Sequence, residues 1–289
     1  MSQRGYAVAY DDLLVCFSSY PEATPPGVVS EAVRVTAALG ASACAVAGHI
    51  EIPLKSNQLA EMLLHLSDLA RDEEAKSLQN AQSVMQGFKS AAQSHGLSAT
   101  TTIIHAELHT LVDRLTQMAR TRSLTILPIE AFASVPGGLA EALIFGSGRP
   151  VVVFAHGQRM PPRPRFERIV VAWDGGRAAA RAVADAMPLL RRAEEVSILA
   201  VIGDKPSVPK GALGELVRHL AACGVAAVPQ EVTKTDPDIG RVINDHAVAT
   251  GADLLVMGAF GHSRVREFVL GGATQSLLTE ASIPVFMSH

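Results

Sequence analysis

The sequence lacks the features of a secreted or membrane-bound protein. It contains three cysteines, which are scattered and form no Cys-x-x-Cys pair, so no disulfide framework is indicated. No apolar run approaches the length of a membrane span, and the first residues lack the basic and apolar regions of a signal peptide. We therefore expect a cytoplasmic protein with no membrane partner. Cys16 and Cys44 lie in apolar runs and are predicted to be buried.

The sequence also lacks a large excess of positive or of negative residues. The formal net charge is −3 and the pI is about 6.4, which argues against a large basic surface and against nucleic acid as a partner. The sequence has no Gly-Lys-Ser/Thr phosphate loop, no dinucleotide glycine fingerprint after a first strand, and no Gly-x-Ser-x-Gly nucleophile elbow. These absences count against the enzyme classes that depend on those motifs, and no catalytic residue is predicted.

What the sequence does contain is an alternation of short apolar strands and helices in its second half. Such alternation predicts a parallel sheet covered on both faces, and right-handed crossovers then favour a doubly wound layer. Asp236 is predicted to cap the third helix, with Pro237 as its first residue. The predicted strands are 169–173, 196–202, 226–232, 254–257 and 283–287, and the predicted helices are 177–192, 213–222, 237–250 and 274–280.

The first half repeats this plan. Residues 13–17 parallel 169–173, 124–127 parallel 254–257, and a long helix is predicted over 56–93, where Leu59, Met62, Leu63, Leu66 and Leu69 recur at helical spacing. The fold class is therefore α/β, with two tandem doubly wound parallel-sheet domains at 1–155 and 167–289. Residues 156–166, rich in proline and arginine, form the linker. The apolar edge strands 151–154 and 285–287 are candidates for pairing in an intrachain pseudo-dimer.

The segment after the fourth strand of the second copy carries the strongest functional pattern. Gly258 and Gly261 are followed, after nine residues, by Gly271 and Gly272 at the start of a helix. Glycine lets the backbone approach a ligand closely, and the N–H groups at a helix N-terminus attract phosphate. The carboxyl ends of parallel strands are also where ligands gather in such sheets. We therefore expect an anion cradle in this segment.

Two histidines and one acid have alternative interpretations. Asp174 directly follows the first strand of the second copy, where its carboxylate could accept a hydrogen bond from a base or ribose, or could act as a turn or helix-cap residue. His105 and His109 are spaced as a metal pair on a helix would be. Because His105 is expected to end a strand, ordinary polar residues are favoured there.

These residues together resemble the universal stress protein family. The resemblance rests on Gly258, Gly261 and Gly271 at the family's spacing, on Val170–Gly175 at the start of the second copy, and on the Ile-Pro-Val strand at its end. It implies a Rossmann-like fold of the adenine nucleotide alpha-hydrolase type, with ATP, ADP or AMP as ligand and Mg²⁺ as an accompanying ion. The residues it implies for nucleotide binding are Ala172, Asp174, Val201, Met257, Gly258, Gly261, Gly271, Gly272 and Ala273. Thr274 and His262 are added as candidates from their positions; His262 lies in the loop and could contact phosphate, although an ordinary exposed loop residue is favoured there.

The sequence departs from the family pattern at Gly272, where the family has serine or threonine. The backbone amide is kept, but a hydroxyl for phosphate or metal is lost, and Thr274 is a candidate substitute. The first copy has lost the cradle: Ser18 stands in the place of Asp174, Pro128 in that of Gly258, and Ala131 in that of Gly261. We predict no ATP at that position in the first copy.

Three functions are consistent with these observations. The resemblance favours an ATP-binding regulator of the stress response that acts on an unidentified protein partner. Association of two chains is left open by the sequence, with a homodimer as the favoured alternative. A slow ATPase is the second hypothesis, although Glu267 is the lone candidate base near the phosphates. An interaction scaffold without nucleotide is the third, and Gly272 is the residue that favours it.

Overall fold

The computed structural model describes residues 9–40, 42–53, 66–129, 138–158, 164–203, 211–259 and 272–289. It divides the chain into two compact units, Asp11–Ser147 and a second unit that contains Gly148–His289 together with Tyr10. The strand at 151–154, which the repeat assigns to the first copy, thus belongs to the second unit. The domain boundaries drawn from the sequence at 155 and 167 remain a prediction.

The first unit is a parallel four-stranded sheet flanked by helices. Its strand order is β3-β2-β1-β4, and all three neighbouring pairs are parallel. Helix α1 packs with α2, and α3 packs with α4. The elements are β1 (Leu13–Phe17), α1 (Pro26–Leu39), β2 (Ser42–Glu51), α2 (Leu66–Ser94), β3 (Ser98–Glu107), α3 (Leu108–Ala119), β4 (Leu124–Pro128) and α4 (Leu139–Gly146).

The second unit has the strand order β5-β10-β9-β6-β7-β8, and only the β5–β10 pair among these is antiparallel. Val285 pairs with Val153 and Met287 with Val151, so the two apolar strands expected to pair do so. The elements are β5 (Val151–Phe154), β6 (Arg168–Ala172), α5 (Arg177–Leu190), β7 (Glu195–Ile202), α6 (Ala212–Ala222), β8 (Ala227–Thr233), α7 (Ile239–Ala249), β9 (Leu254–Gly258), α8 (Gly272–Glu280) and β10 (Val285–Ser288).

The mostly parallel α/β fold predicted from the sequence is confirmed, and its cores are built as expected. Strand β1, a central strand of the first unit, is buried along its whole length, as a parallel strand with both faces covered should be. Strands β4 and β5 are also fully buried. Cys16 and Cys44 are buried. Within the described ranges, no helix combines the length and the apolar character that crossing a membrane would require.

One helix cap differs from the sequence prediction, and one predicted helix lies partly outside the described residues. The cap of α7 is Asp238, whose Oδ1 accepts from the Gly240 N–H at 2.9 Å, rather than Asp236. Asp236 instead accepts from the Asp238 N–H at 2.8 Å, and this turn holds Pro237 outside the helix. The long helix is present as α2, with 29 residues, while Leu59, Met62 and Leu63 lie outside the described residues.

Candidate functional site

Three adjacent strands of the second unit end at one edge of its sheet, and five of the predicted site residues lie there. Ala172 of β6 is in register with Leu199 of β7 on one side and with Met257 of β9 on the other. The next residue, Trp173, continues this alignment, because its N–H donates to the Leu199 carbonyl at 2.8 Å. Asp174, Val201 and Gly258 therefore follow at the ends of neighbouring strands.

Asp174 organises the turn between β6 and α5. Its Oδ1 accepts a hydrogen bond from the Gly176 N–H at 2.7 Å, and Gly175 between them has φ of +74°, which favours glycine. Gly176 is the N-cap of α5. The turn interpretation of Asp174 is thus correct, while its carboxylate remains partly exposed and its role toward a ligand stays a prediction.

Gly258 is required by packing. A Cβ added at this position would lie 2.3 Å from the backbone nitrogen of Ala179 and 2.4 Å from the carbonyl carbon of Ala178, both in the first turn of α5. No real side chain makes such contacts, so glycine is what allows α5 to lie directly against the end of β9. This close approach explains Gly258 without any ligand, and the sequence pattern alone does not distinguish the two reasons.

The start of α8 carries three more predicted site residues in quite different surroundings. Gly272 is exposed, and a Cβ added there would meet no atom within 4 Å. Thr274 is 2% exposed, so its side chain is directed into the interior. The Ser276 hydroxyl contacts both the Gly272 carbonyl, at 2.9 Å, and Oδ2 of Asp238. Gly272 is therefore not required for packing.

A groove of about 640 Å³ lies between α7 and α8. It includes Gly272 and Ala273, but Ala172, Asp174, Val201 and Met257 do not line it. The structure thus brings the predicted residues together in two groups, one at the strand ends and one at the groove. Gly261, His262 and Gly271, which would connect them, lie outside the described residues. The lining residues are Pro237, Asp238, Ile239, Gly272, Ala273, Gln275, Ser276, Thr279 and Glu280.

Trp173 is a residue at this edge that the sequence analysis did not single out. It is the single tryptophan of the chain, and its buried indole N–H has no hydrogen-bond partner in the part of the chain that the structure describes. Buried tryptophans usually find such a partner. The signal available in the sequence was its position, one residue before Asp174 at the end of a buried strand.

Comparison with known proteins agrees with this architecture. Residues 165–289 match the universal stress protein family. The matched residues make up less than half of the chain and contain strands β6 to β10. A universal stress protein from Synechocystis is 49% identical over 47 residues, which are 16% of this chain and 15% of that protein. The alignment therefore spans only a small part of the relative's length.

Two solved structures extend the likeness of fold to nearly the whole chain. A universal stress protein from Archaeoglobus fulgidus has a TM-score of 0.67 and 16% identity, over 97% of this chain and 96% of that chain. A Pseudomonas aeruginosa protein assigned to the same family has a TM-score of 0.54 and 14% identity, over 97% of this chain and 93% of that one. At these identities the likeness concerns the fold.

Proposed function

We propose that residues 165–289 form a universal stress protein domain that binds an adenine nucleotide, and that the protein acts as a nucleotide-dependent regulator in the stress response, through a protein partner. The observation that carries the proposal is the convergence of Ala172, Asp174, Val201 and Met257 at the ends of three neighbouring parallel strands. This edge of a parallel sheet is where ligands of α/β proteins bind.

The described residues fit the base and ribose of such a ligand. The half-buried Asp174 carboxylate is a hydrogen-bond acceptor, and the apolar residues Ala172 and Met257 are register partners at the same strand ends. The first-turn N–H groups of α8 lack partners within their helix and would suit a phosphate. We include Mg²⁺ in the proposed ligand, where it would neutralise phosphate charge.

The position of Trp173 supplies a direct experiment. Its fluorescence originates one residue from Asp174, so ATP, ADP and AMP are titrated while emission is recorded, with and without Mg²⁺, and calorimetry gives the stoichiometry. We expect saturable binding of one nucleotide per chain with a change in Trp173 emission. Absence of binding for all three nucleotides would overturn the proposal in favour of a scaffold, and formation of ADP would favour a slow ATPase.

The Asp174 variants separate a ligand contact from a turn. Asp174→Asn keeps an Oδ1 acceptor for the Gly176 N–H, whereas Asp174→Ala removes it. If the carboxylate contacts the ribose or base, both variants bind nucleotide roughly tenfold more weakly, since a hydrogen bond to a charged group contributes about 1.5–3 kcal/mol. The control is Asp113→Asn on the exposed face of α3 in the first unit, which should leave binding unchanged. Unchanged affinity in Asp174→Asn would remove Asp174 from the site.

A further inference from the structure

Two histidines meet at the carboxyl ends of β2 and β3 in the first unit. His49 and His105 are register partners in this parallel pair. Their Nδ1 atoms are 2.8 Å apart, their ring centroids are 4.7 Å apart, and the rings are perpendicular, at 89°. The spacing considered in the sequence paired His105 with His109 instead. The true partner of His105 is 56 residues away in the chain, and only the strand register brings it near.

This contact brings together two imidazole nitrogens, each of which can act as a metal ligand. One Nδ1 must donate a proton and the other must accept it, so a cation that replaces the proton would be bound by both imidazoles. At an imidazole–metal distance of about 2.0 Å, two neighbouring ligands of a square-planar ion lie about 2.8 Å apart, and those of a tetrahedral ion about 3.3 Å apart. The observed 2.8 Å separation is that of the hydrogen bond between the two rings, and it is compatible with neighbouring ligands of a square-planar ion once the proton is replaced.

Acidic side chains lie next to the imidazoles. Glu51 and Glu107 form the register pair two residues further along the same strands, so they share the face that carries the two histidines. Glu107 currently contacts Nδ1 of His109 at 3.4 Å. A positively charged group also lies here: the Arg114 guanidinium donates to the His105 carbonyl at 2.9 Å.

We propose that His49 and His105 form a binding site for a divalent transition-metal ion with tetragonal preference, such as Cu²⁺ or Ni²⁺. The two imidazole nitrogens are neighbouring ligands, and water or a carboxylate of Glu51 or Glu107 completes the coordination. In the ranges that the structure describes, no three histidine, cysteine or acidic side chains already surround one point. The two imidazoles therefore carry the affinity, and oxygen ligands join when the ion binds.

The test uses the full-length protein and the metal salts alone. Calorimetry with Ni²⁺ and Cu²⁺ should give one ion per chain at the first equivalent, and the electron paramagnetic resonance of Cu²⁺ should contain hyperfine coupling from two imidazole nitrogens. His49→Ala and His105→Ala should each weaken binding roughly tenfold or more, since even outer-shell partners of metal ligands change affinity by 10–100-fold. The spectrum of each variant should lose one nitrogen.

Two further variants keep the outcome interpretable. His95→Ala removes an exposed histidine near the end of α2 and should leave both the affinity and the spectrum unchanged. His105→Gln keeps a polar side chain at the exposed position, so a loss of binding with an unchanged circular dichroism spectrum would support the site. Binding that persists in the His49→Ala, His105→Ala double variant, or that falls equally in His95→Ala, would overturn the proposal.

Discussion

The two units end their first strands in different ways, although both continue from that strand into a helix. In the second unit α5 begins five residues after Ala172, and the connection is the short turn that Asp174 supports. In the first unit α1 begins nine residues after Phe17. The longer connection places more residues at the carboxyl end of the first strand. In parallel α/β sheets this end of the strands is where ligands bind.

The first-unit connection is filled by its own hydrogen bonds. The Ser18 hydroxyl donates to the carbonyls of Tyr20 and Glu22, at 3.0 and 3.3 Å, while the Thr24 hydroxyl accepts from the Ser18 N–H at 2.9 Å. Asn80 of α2 donates to the Ser19 carbonyl at 3.0 Å. Ser18 and Ser19 are both buried. The two units thus share the order of their parallel strands but differ in this connection, which is long and held by buried serines in the first unit and is a short turn in the second.

The largest effect is expected from Gly258→Ala. The new Cβ would collide with backbone atoms of Ala178 and Ala179, which have no side-chain freedom to give way, so α5 must shift from β9. We expect a loss of about 3 kcal/mol or more in the free energy of unfolding of the second unit. Urea unfolding followed by Trp173 fluorescence measures it.

The matched control for this substitution has the opposite sign. Gly214 lies within α6, and a Cβ added there meets no atom within 4 Å. Gly214→Ala should therefore stabilise the second unit by about 0.5–1 kcal/mol, since alanine is the better helix former. Equal destabilisation by the two substitutions would contradict the packing role assigned to Gly258.

Restoring the acid in the first unit should damage it. Ser18→Asp replaces a donor with a group that only accepts when ionised, next to the carbonyls of Tyr20 and Glu22, in a buried position. We expect a loss of about 2–3 kcal/mol of stability and no gain of nucleotide binding. Ser18→Ala, which only removes the donor, should cost less. Stability is measured by urea unfolding and binding by calorimetry, and a gain of nucleotide binding in Ser18→Asp would show that the edge is not closed.

The sequence predicted what depends on local pattern and missed what depends on register. Apolar runs marked the strands, and α5 contains Pro188, which lies inside the helix predicted over 177–192. The choice of Asp238 over Asp236 as cap was not predictable from composition, because both acids precede the same helix and only the turn geometry decides. The His49–His105 contact could be recognised only from the register of two strands. The packing role of Gly258 could be recognised only from the position of α5.

A smaller effect is expected from returning a hydroxyl to the start of α8. Gly272 has open space around its Cα, so Gly272→Ser should fold without rearrangement. If phosphate binds there, the new hydroxyl should tighten ATP binding about fivefold, which corresponds to one hydrogen bond of about 1 kcal/mol. Gly272→Ala adds the same Cβ without the hydroxyl and separates this gain from helix propensity. Equal affinities of the two variants in calorimetry would place the phosphates elsewhere.

The smallest expected effect is on the pH dependence of stability, and it arises in the second unit. His246 of α7 hydrogen-bonds through Nε2 to Gln230 of β8 at 2.6 Å, and burial lowers the pKa of His246 from its ordinary value of 6.5. The unfolded chain therefore takes up this proton before the folded chain does, so stability is lost as pH falls below about 6.5 through the lowered folded value. His246→Gln should flatten the dependence of unfolding free energy on pH in that window, measured with Trp173 fluorescence. His219→Gln, a change at an exposed histidine of α6, should leave the slope intact, and an equal slope in wild type and His246→Gln would mean that another group titrates there.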